Sequence, residues 1–437
     1  MRINLIFRYR LYAALFVISS VLFVLDNQLP IGLCLAMLMS CILLFEGTQI
    51  FLKTQFLGTW QFVFSVYFIG LGIRLFFALG ITYYFDISYN NLLGHDPQDE
   101  LGYYRNSLEI AGGRWSHLKF DSDFGASFYY GVLAWIVDGN IYLMKSLNAV
   151  FASFIPVQTY FLAIKLSDHK VAKGAAFISV FFPLYLIHVG FLFKESIMLV
   201  ILLLALNSLF KIKGKTWVFS SIILFITIVV TFFFRTITGI SLLIGFYLWF
   251  YLRRRDLRLI MAVIGVIISY WLLSFSLFGL EILHYTSLMS VENLGGYLGF
   301  LLQSDGIILT PTVYLQFLVL SIIGPLPTLL DSPSDYISLL APYRYLKVMM
   351  SPLIYYGLFL LVKDKRLNLI VLVYVIVNFV GIWFAGFFLI DIFQFIFYPI
   401  FIVAFMRAMT EINVASMKYL VYLFFSLFII IYWNAYL

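Results

Sequence analysis

Long uninterrupted apolar runs, broken by short polar links, dominate the chain. The first lie at Leu11–Leu25, Leu29–Phe45 and Leu57–Tyr84. Apolar runs resume at Phe128–Val137, Ile141–Ile164, Val171–Ile187, Phe191–Phe210, Trp217–Phe234, Ile237–Tyr251 and Leu259–Phe278. Val313–Leu330, Val348–Val362, Leu367–Leu389, Ile392–Phe405 and Tyr419–Trp433 complete the series. The runs are continuous rather than alternating, which predicts helices and not the strands of a barrel. Many are long enough to cross about 30 Å of hydrocarbon. The pattern therefore predicts an all-α, polytopic transmembrane helical bundle of about 13 spans, the count varying by one or two with re-entrant segments. No repeat, low-complexity tract or soluble linker divides it, so residues 1–437 form one transmembrane domain.

The main interruption is the polar stretch at residues 85–127, predicted as a loop between spans three and four. It carries Asp86, Asp96, Asp99, Glu100, Glu109, Asp121 and Asp123 against Arg105, Arg114 and Lys119. Basic residues gather in other links: Arg2, Arg8 and Arg10; Lys53; Lys165, Lys170 and Lys173; Lys211, Lys213 and Lys215; Arg253, Arg254, Arg255 and Arg258; and Lys363, Lys365 and Arg366. The positive-inside rule makes these links cytoplasmic. Alternation then puts the acidic loop on the outer face. Between Arg258 and Lys363 the parity requires one segment that does not cross, and Pro325 and Pro327 mark Val313–Leu330 as a candidate, because proline breaks a helix.

Composition sharpens this picture. Apolar residues make up 63% of the 437 and charged residues only 11%, too few for a soluble surface. The net charge of +7 would suggest nucleic acid if it were clustered on one face, but it is spread through short links, and nucleic acid is not an expected partner. Cys34 and Cys41, seven apart in one apolar run, indicate neither a disulfide framework nor a metal site. Met1–Arg10 is basic and the run after it lacks a convincing cleavage site, so the sequence predicts a retained first helix.

Candidate chemistry concentrates in His95-Asp96-Pro97-Gln98-Asp99-Glu100-Leu101-Gly102-Tyr103-Tyr104. Crowded carboxylates repel, which favours a proton acceptor or a cation site. The plainer alternative is a helix beginning near Pro97, capped by Asp96 with Asp99 and Glu100 in its first turn. His95 reads first as a loop residue, and no metal-ligand spacing is evident. A divalent ion such as Mg²⁺ could nevertheless join the acids to phosphate oxygens, since that ion takes one or two carboxylates plus phosphate.

The segment continues to Ala111-Gly112-Gly113-Arg114-Trp115. An Asp-Glu pair in the first large outer loop, a Tyr four residues after the Asp and a Gly-Gly further on resemble the first-loop motif of the GT-C membrane glycosyltransferases, such as protein O-mannosyltransferases and aminoarabinose transferases. Ser146-Leu147-Asn148-Ala149-Val150, Phe182-Pro183 and Phe193-Lys194-Glu195-Ser196 resemble the helix pair and charged outer turn of that family. Gln394-Phe395-Ile396-Phe397-Tyr398-Pro399, after Asp391, lies where many relatives carry an Arg-Tyr pair before a proline, with Gln394 in place of the Arg. The resemblance covers most of residues 57–410 and leaves the first two runs as an addition.

It implies a multi-helix enzyme in the bacterial inner membrane with its site on the outer face. Such an enzyme moves a sugar from a polyprenyl-phosphate donor to a hydroxyl of a glycan, lipid or protein. Asp99 would be the catalytic base, with Glu100 and Asp96 beside it. Tyr103, Lys194, Glu195, Arg235, Arg344 and Gln394 would contact substrate. Each has a plainer reading: Lys194 and Glu195 can snorkel, Arg235 can anchor a helix to headgroups, and Arg74, inside the third run, can form a structural ion pair. The high aromatic content, 20%, partly reflects interfacial belts. Two other classes remain open: an O-antigen-type polysaccharide polymerase, and a flippase or transporter. Transport is disfavoured, because no internal symmetry is visible and the acids sit in an aqueous loop rather than at mid-membrane.

Overall fold

The computed structural model describes residues 58–94, 98–115, 124–210, 217–253, 335–364, 369–384 and 394–411. The apolar runs at Leu11–Leu25, Leu29–Phe45, Leu259–Phe278, Val313–Leu330 and Tyr419–Trp433 lie outside these residues, as do His95, Asp96, Pro97 and Asp391.

Among the described residues the fold is all-α, with thirteen α-helices and one 3₁₀ turn, Phe395–Phe397. In chain order the helices are α1 (Thr59–Tyr89), α2 (Gln98–Ala111), α3 (Phe124–Val137), α4 (Ile141–Ala152), α5 (Phe154–Leu166), α6 (His169–Phe181) and α7 (Pro183–Val189). Next come α8 (Lys194–Leu209), α9 (Trp217–Phe234), α10 (Thr236–Arg253), α11 (Asp335–Lys363), α12 (Leu369–Phe384) and α13 (Tyr398–Glu411).

Two stretches are long and apolar enough to cross a bilayer: Thr59–Tyr89, and Ile141–Leu166 formed by α4 and α5 together. A third arises if α6 and α7 count as one span bent by 44°. That bend falls where Pro183 opens α7 and interrupts the helical ladder after Phe182. Other predicted runs appear as shorter apolar helices, among them Phe219–Phe234, Thr238–Tyr247 and Met350–Lys363.

The surface of α1 explains why water is the wrong solvent for it. Trp60, Phe64, Phe68, Phe76, Tyr83 and Ile87 are exposed along one side, while Phe62, Val66, Gly70, Arg74, Ala78 and Ile81 are buried along another. Both sides are largely apolar, which is the pattern of a helix packed in lipid rather than at a water interface. Arg74 is fully buried and donates to Gly70 O on its own helix (3.4 Å) and to Ser179 O on α6 (3.1 Å).

α1 and the α4–α5 span run antiparallel. Phe62, near the start of α1, packs on Tyr160 near the end of α5 (5.4 Å between ring centroids), and Lys173 Nζ lies 5.7 Å from the same Phe62 ring. Near the other end of α1, Asp86 accepts from the Tyr142 hydroxyl at the start of α4 (3.3 Å). The basic link at 165–173 and the acidic segment after Tyr89 therefore mark opposite ends of α1. α8 is buried along almost its whole length.

The polar stretch predicted as a loop at 85–127 has more structure than its composition suggests. α1 continues through it to Tyr89 and ends at Asn90, which adopts a left-handed conformation (φ 49°). α3 begins already at Phe124, and α2 occupies the middle. α2 ends where Gly113 takes φ +74°, letting the amide of Arg114 reach Glu109 O at 2.9 Å. The Gly112-Gly113 pair is thus a helix stop.

Candidate active site

α2 is amphipathic. Glu100, Tyr103, Ser107 and Ile110 are buried, spaced three and four residues apart, while Asp99, Leu101, Gly102, Arg105 and Asn106 are exposed. Neighbouring residues on a helix project about 100° apart. The adjacent carboxylates of Asp99 and Glu100 consequently meet opposite surroundings.

Glu100 is fully buried, and both its oxygens are engaged. Oε1 pairs with Lys145 Nζ at 2.9 Å and accepts the Leu192 amide at 3.0 Å. Oε2 accepts the Gly94 amide at 2.7 Å. Lys145, on α4, is also fully buried, donates to Leu92 O at 3.1 Å and lies 5.8 Å from the Phe191 ring centroid. One carboxylate thus ties α2 to the segment before it, to α4 and to the turn between α7 and α8.

That turn is held from several sides. Its Phe193 carbonyl accepts from the buried Tyr130 hydroxyl of α3 at 2.7 Å. Phe191 packs on Phe85 and Phe193, and the Phe193 ring packs on His188. The turn leads directly into Lys194 and Glu195, in the first turn of α8. The sequence motifs around Glu100 and Glu195 converge here: Glu100 accepts the Leu192 amide, and Tyr130 donates to the Phe193 carbonyl two residues before Glu195.

Glu195 is itself paired. It receives Arg235 Nη2 at 2.8 Å, with both side chains about 5% exposed. Arg235 occupies the break between α9 and α10. Gly125 at the start of α3 permits that break to approach, since a Cβ there would lie 2.8 Å from Phe233 O. Arg235 thus sits beside the first turn of α8, where its charge is balanced by Glu195. Lys194 is partly buried at the first position of α8.

Gln394 and Arg344 belong to a second group. Gln394 is buried and accepts from Lys347 Nζ and from the Tyr343 hydroxyl (3.5 Å), which contacts the Tyr398 hydroxyl at 2.6 Å. Arg344 lies beside Tyr343 on α11, partly buried. Phe395, next to Gln394, packs on Tyr185 and His188 at 5.0 and 4.8 Å. His188 therefore bridges this group to Phe193 in the turn before α8.

Sequence reasoning missed Lys145, Lys347, Tyr130 and His188. Three of them carried a usable signal, a charged or titratable side chain within or at the edge of an apolar run. Both Glu100 oxygens are committed to protein donors, so Glu100 does not fit a Mg²⁺ ligand. Among the described residues no cluster of three His, Cys, Asp or Glu side chains could hold a metal ion. No protein-family model matches this chain, and neither a curated protein nor a solved structure does.

Proposed function

We propose that this chain is a many-span membrane glycosyltransferase of the GT-C type, with about 13 spans in a bacterial inner membrane. It moves a sugar from a polyprenyl-phosphate donor to an acceptor hydroxyl of a glycan, lipid or protein on the outer face. The opposite placement of the basic link and the acidic segment along α1 supports that orientation. One observation carries the reading. Glu100 accepts the Leu192 amide, which joins the acidic segment to the turn feeding Lys194 and Glu195, while Asp99 beside it is exposed.

In this mechanism Asp99 takes the proton of the acceptor hydroxyl as its oxygen attacks the anomeric carbon. The bond from that carbon to the phosphate oxygen breaks, and the lipid phosphate departs with the electron pair. A positioned carboxylate suits a weak neutral nucleophile. Lys194 and Arg344 supply positive charge toward the departing phosphate. A single displacement inverts the anomeric configuration. The test uses purified protein and a panel of polyprenyl-phosphate sugars. An Asp99→Asn variant that still binds donor and loses transfer supports the assignment; full activity in that variant overturns it.

A further inference from the structure

Among the described residues, five buried hydroxyls have no hydrogen-bond partner, those of Thr159, Tyr185, Ser196, Thr238 and Tyr374, and three of them gather around the Glu195–Arg235 pair. Several other helix hydroxyls bond back to their own backbone: Thr82 to Ala78 O, Ser179 to Ala175 O, Thr231 to Thr227 O and Ser351 to Lys347 O, all at 2.6–2.8 Å. Ser196, Thr238 and Tyr374 are fully buried, and their hydroxyl oxygens have no hydrogen-bond partner. For two of them the cause is position. Ser196 and Thr238 lie in the first turns of α8 and α10, where the carbonyl four residues back precedes the helix. The Arg235 carbonyl, three residues before Thr238, instead takes the Thr238 amide at 3.1 Å.

All three lie near the ion pair. Ser196 follows Glu195, Thr238 is one turn from Arg235, and Tyr374 lies on α12, which packs along α10. Burying a hydroxyl without a partner is costly, so three around one ion pair point to a ligand that satisfies them. Its chemistry follows from the pair. A phosphate would meet Arg235 but also the Glu195 carboxylate, 2.8 Å away. A neutral polyol meets no such conflict, because each of its hydroxyls can donate to Glu195 and accept from Arg235 or a protein hydroxyl.

We propose that Glu195, Arg235, Ser196, Thr238 and Tyr374 form a subsite for a neutral, hydroxyl-bearing sugar ring. Arg235 is then a sugar contact rather than a phosphate clamp. The inference deepens the transferase reading and rests on it for the identity of the ligand as a sugar.

The experiment measures binding to the full chain in lipid nanodiscs, with farnesyl phosphate as the phosphate probe and octyl gluco-, galacto- and mannosides as neutral probes. Wild type is expected to bind at least one hexoside. Ser196→Ala, Thr238→Val and Tyr374→Phe should each weaken that hexoside by about fivefold, the loss of one hydrogen bond. Farnesyl phosphate affinity should stay unchanged, which a misfolded variant would not show. Hexoside binding without farnesyl phosphate binding supports the subsite and overturns the lipid-phosphate donor. Farnesyl phosphate binding with no hexoside binding overturns the subsite and leaves the donor reading standing. Binding of neither overturns both. Hexoside affinity untouched in all three variants, or phosphate affinity lost in parallel, also overturns the subsite.

Discussion

Lys145→Met isolates the buried pair beneath the acidic segment. At 2.9 Å and an effective dielectric of about 20, the Lys145–Glu100 attraction is about 6 kcal/mol. Dehydrating two ions offsets much of that, so the net worth of the pair is smaller than its attraction. Removing one partner is different, because the other charge stays buried without its counter-ion. Two backbone amides would remain on Glu100, and the expected loss of stability is about 3–5 kcal/mol. Glu100→Gln with Lys145→Met removes both charges. The amide keeps one acceptor oxygen for two backbone donors, so about 1–3 kcal/mol should still be lost. The double variant should therefore be more stable than Lys145→Met alone. The assay is reversible unfolding in mixed micelles, followed by circular dichroism, for the wild type, both single variants and the double variant. A Lys145→Met cost below about 1 kcal/mol, or a double variant less stable than Lys145→Met, would refute the reasoning.

Other expectations test the rest of the bundle. Gly357→Ala should destabilise by about 1–3 kcal/mol in the same unfolding assay, because its Cβ would fall on the Ala404 carbonyl of α13 and push two packed helices apart. Tyr130→Phe should cost about 1–3 kcal/mol by stranding the Phe193 carbonyl, and unfolding midpoints would show it. Arg407→Ala is the contrasting control: its pairs with Asp364 and Glu411 are partly exposed, so the change should stay below about 1 kcal/mol. Asp364 and Glu411 raise the Arg407 pKa, so this small contribution persists below the ordinary guanidinium range and is lost only as pH climbs through the raised value. Wild type and variant should accordingly show the same stability difference at pH 7 and pH 9.

Apolar periodicity made the helices legible, since the runs at Leu57–Tyr84 and Ile141–Ile164 reappear as α1 and the α4–α5 span. It set boundaries less well where charge and helix coincide. Residues 85–89 carry Asp86 and still continue α1, because a helix end that meets polar groups needs no apolar face. The Asp99–Glu100 pair was legible as a candidate site, but not the contrast between the exposed and the buried carboxylate within it. Adjacency in sequence says nothing about which of two carboxylates turns inward. That depends on Lys145, 45 residues away and hidden in an apolar run. Arg235 was legible as a cation at a helix end, but its neutralisation by Glu195 depends on packing across the bundle.

Both buried ion pairs act at the two ends of one short turn, and the solvent explains why. Within a bilayer, apolar side chains gain little by leaving lipid for other apolar side chains, so hydrophobic burial alone sets helix register weakly. A polar group without a partner is costly there, which makes each hydrogen bond selective for one register. Glu100 meets the turn at Leu192, Tyr130 at Phe193 and Arg235 at Glu195. Sliding α2, α3 or the α9–α10 break along α8 would leave at least one of these groups buried without its partner. The exposed side of α2 that carries Asp99 is thereby fixed relative to the start of α8. Asp99 shares α2 with Glu100, so the contacts that hold Glu100 also set where the exposed Asp99 side chain meets its surroundings, and α2 combines a buried anchor and an exposed acid in consecutive residues.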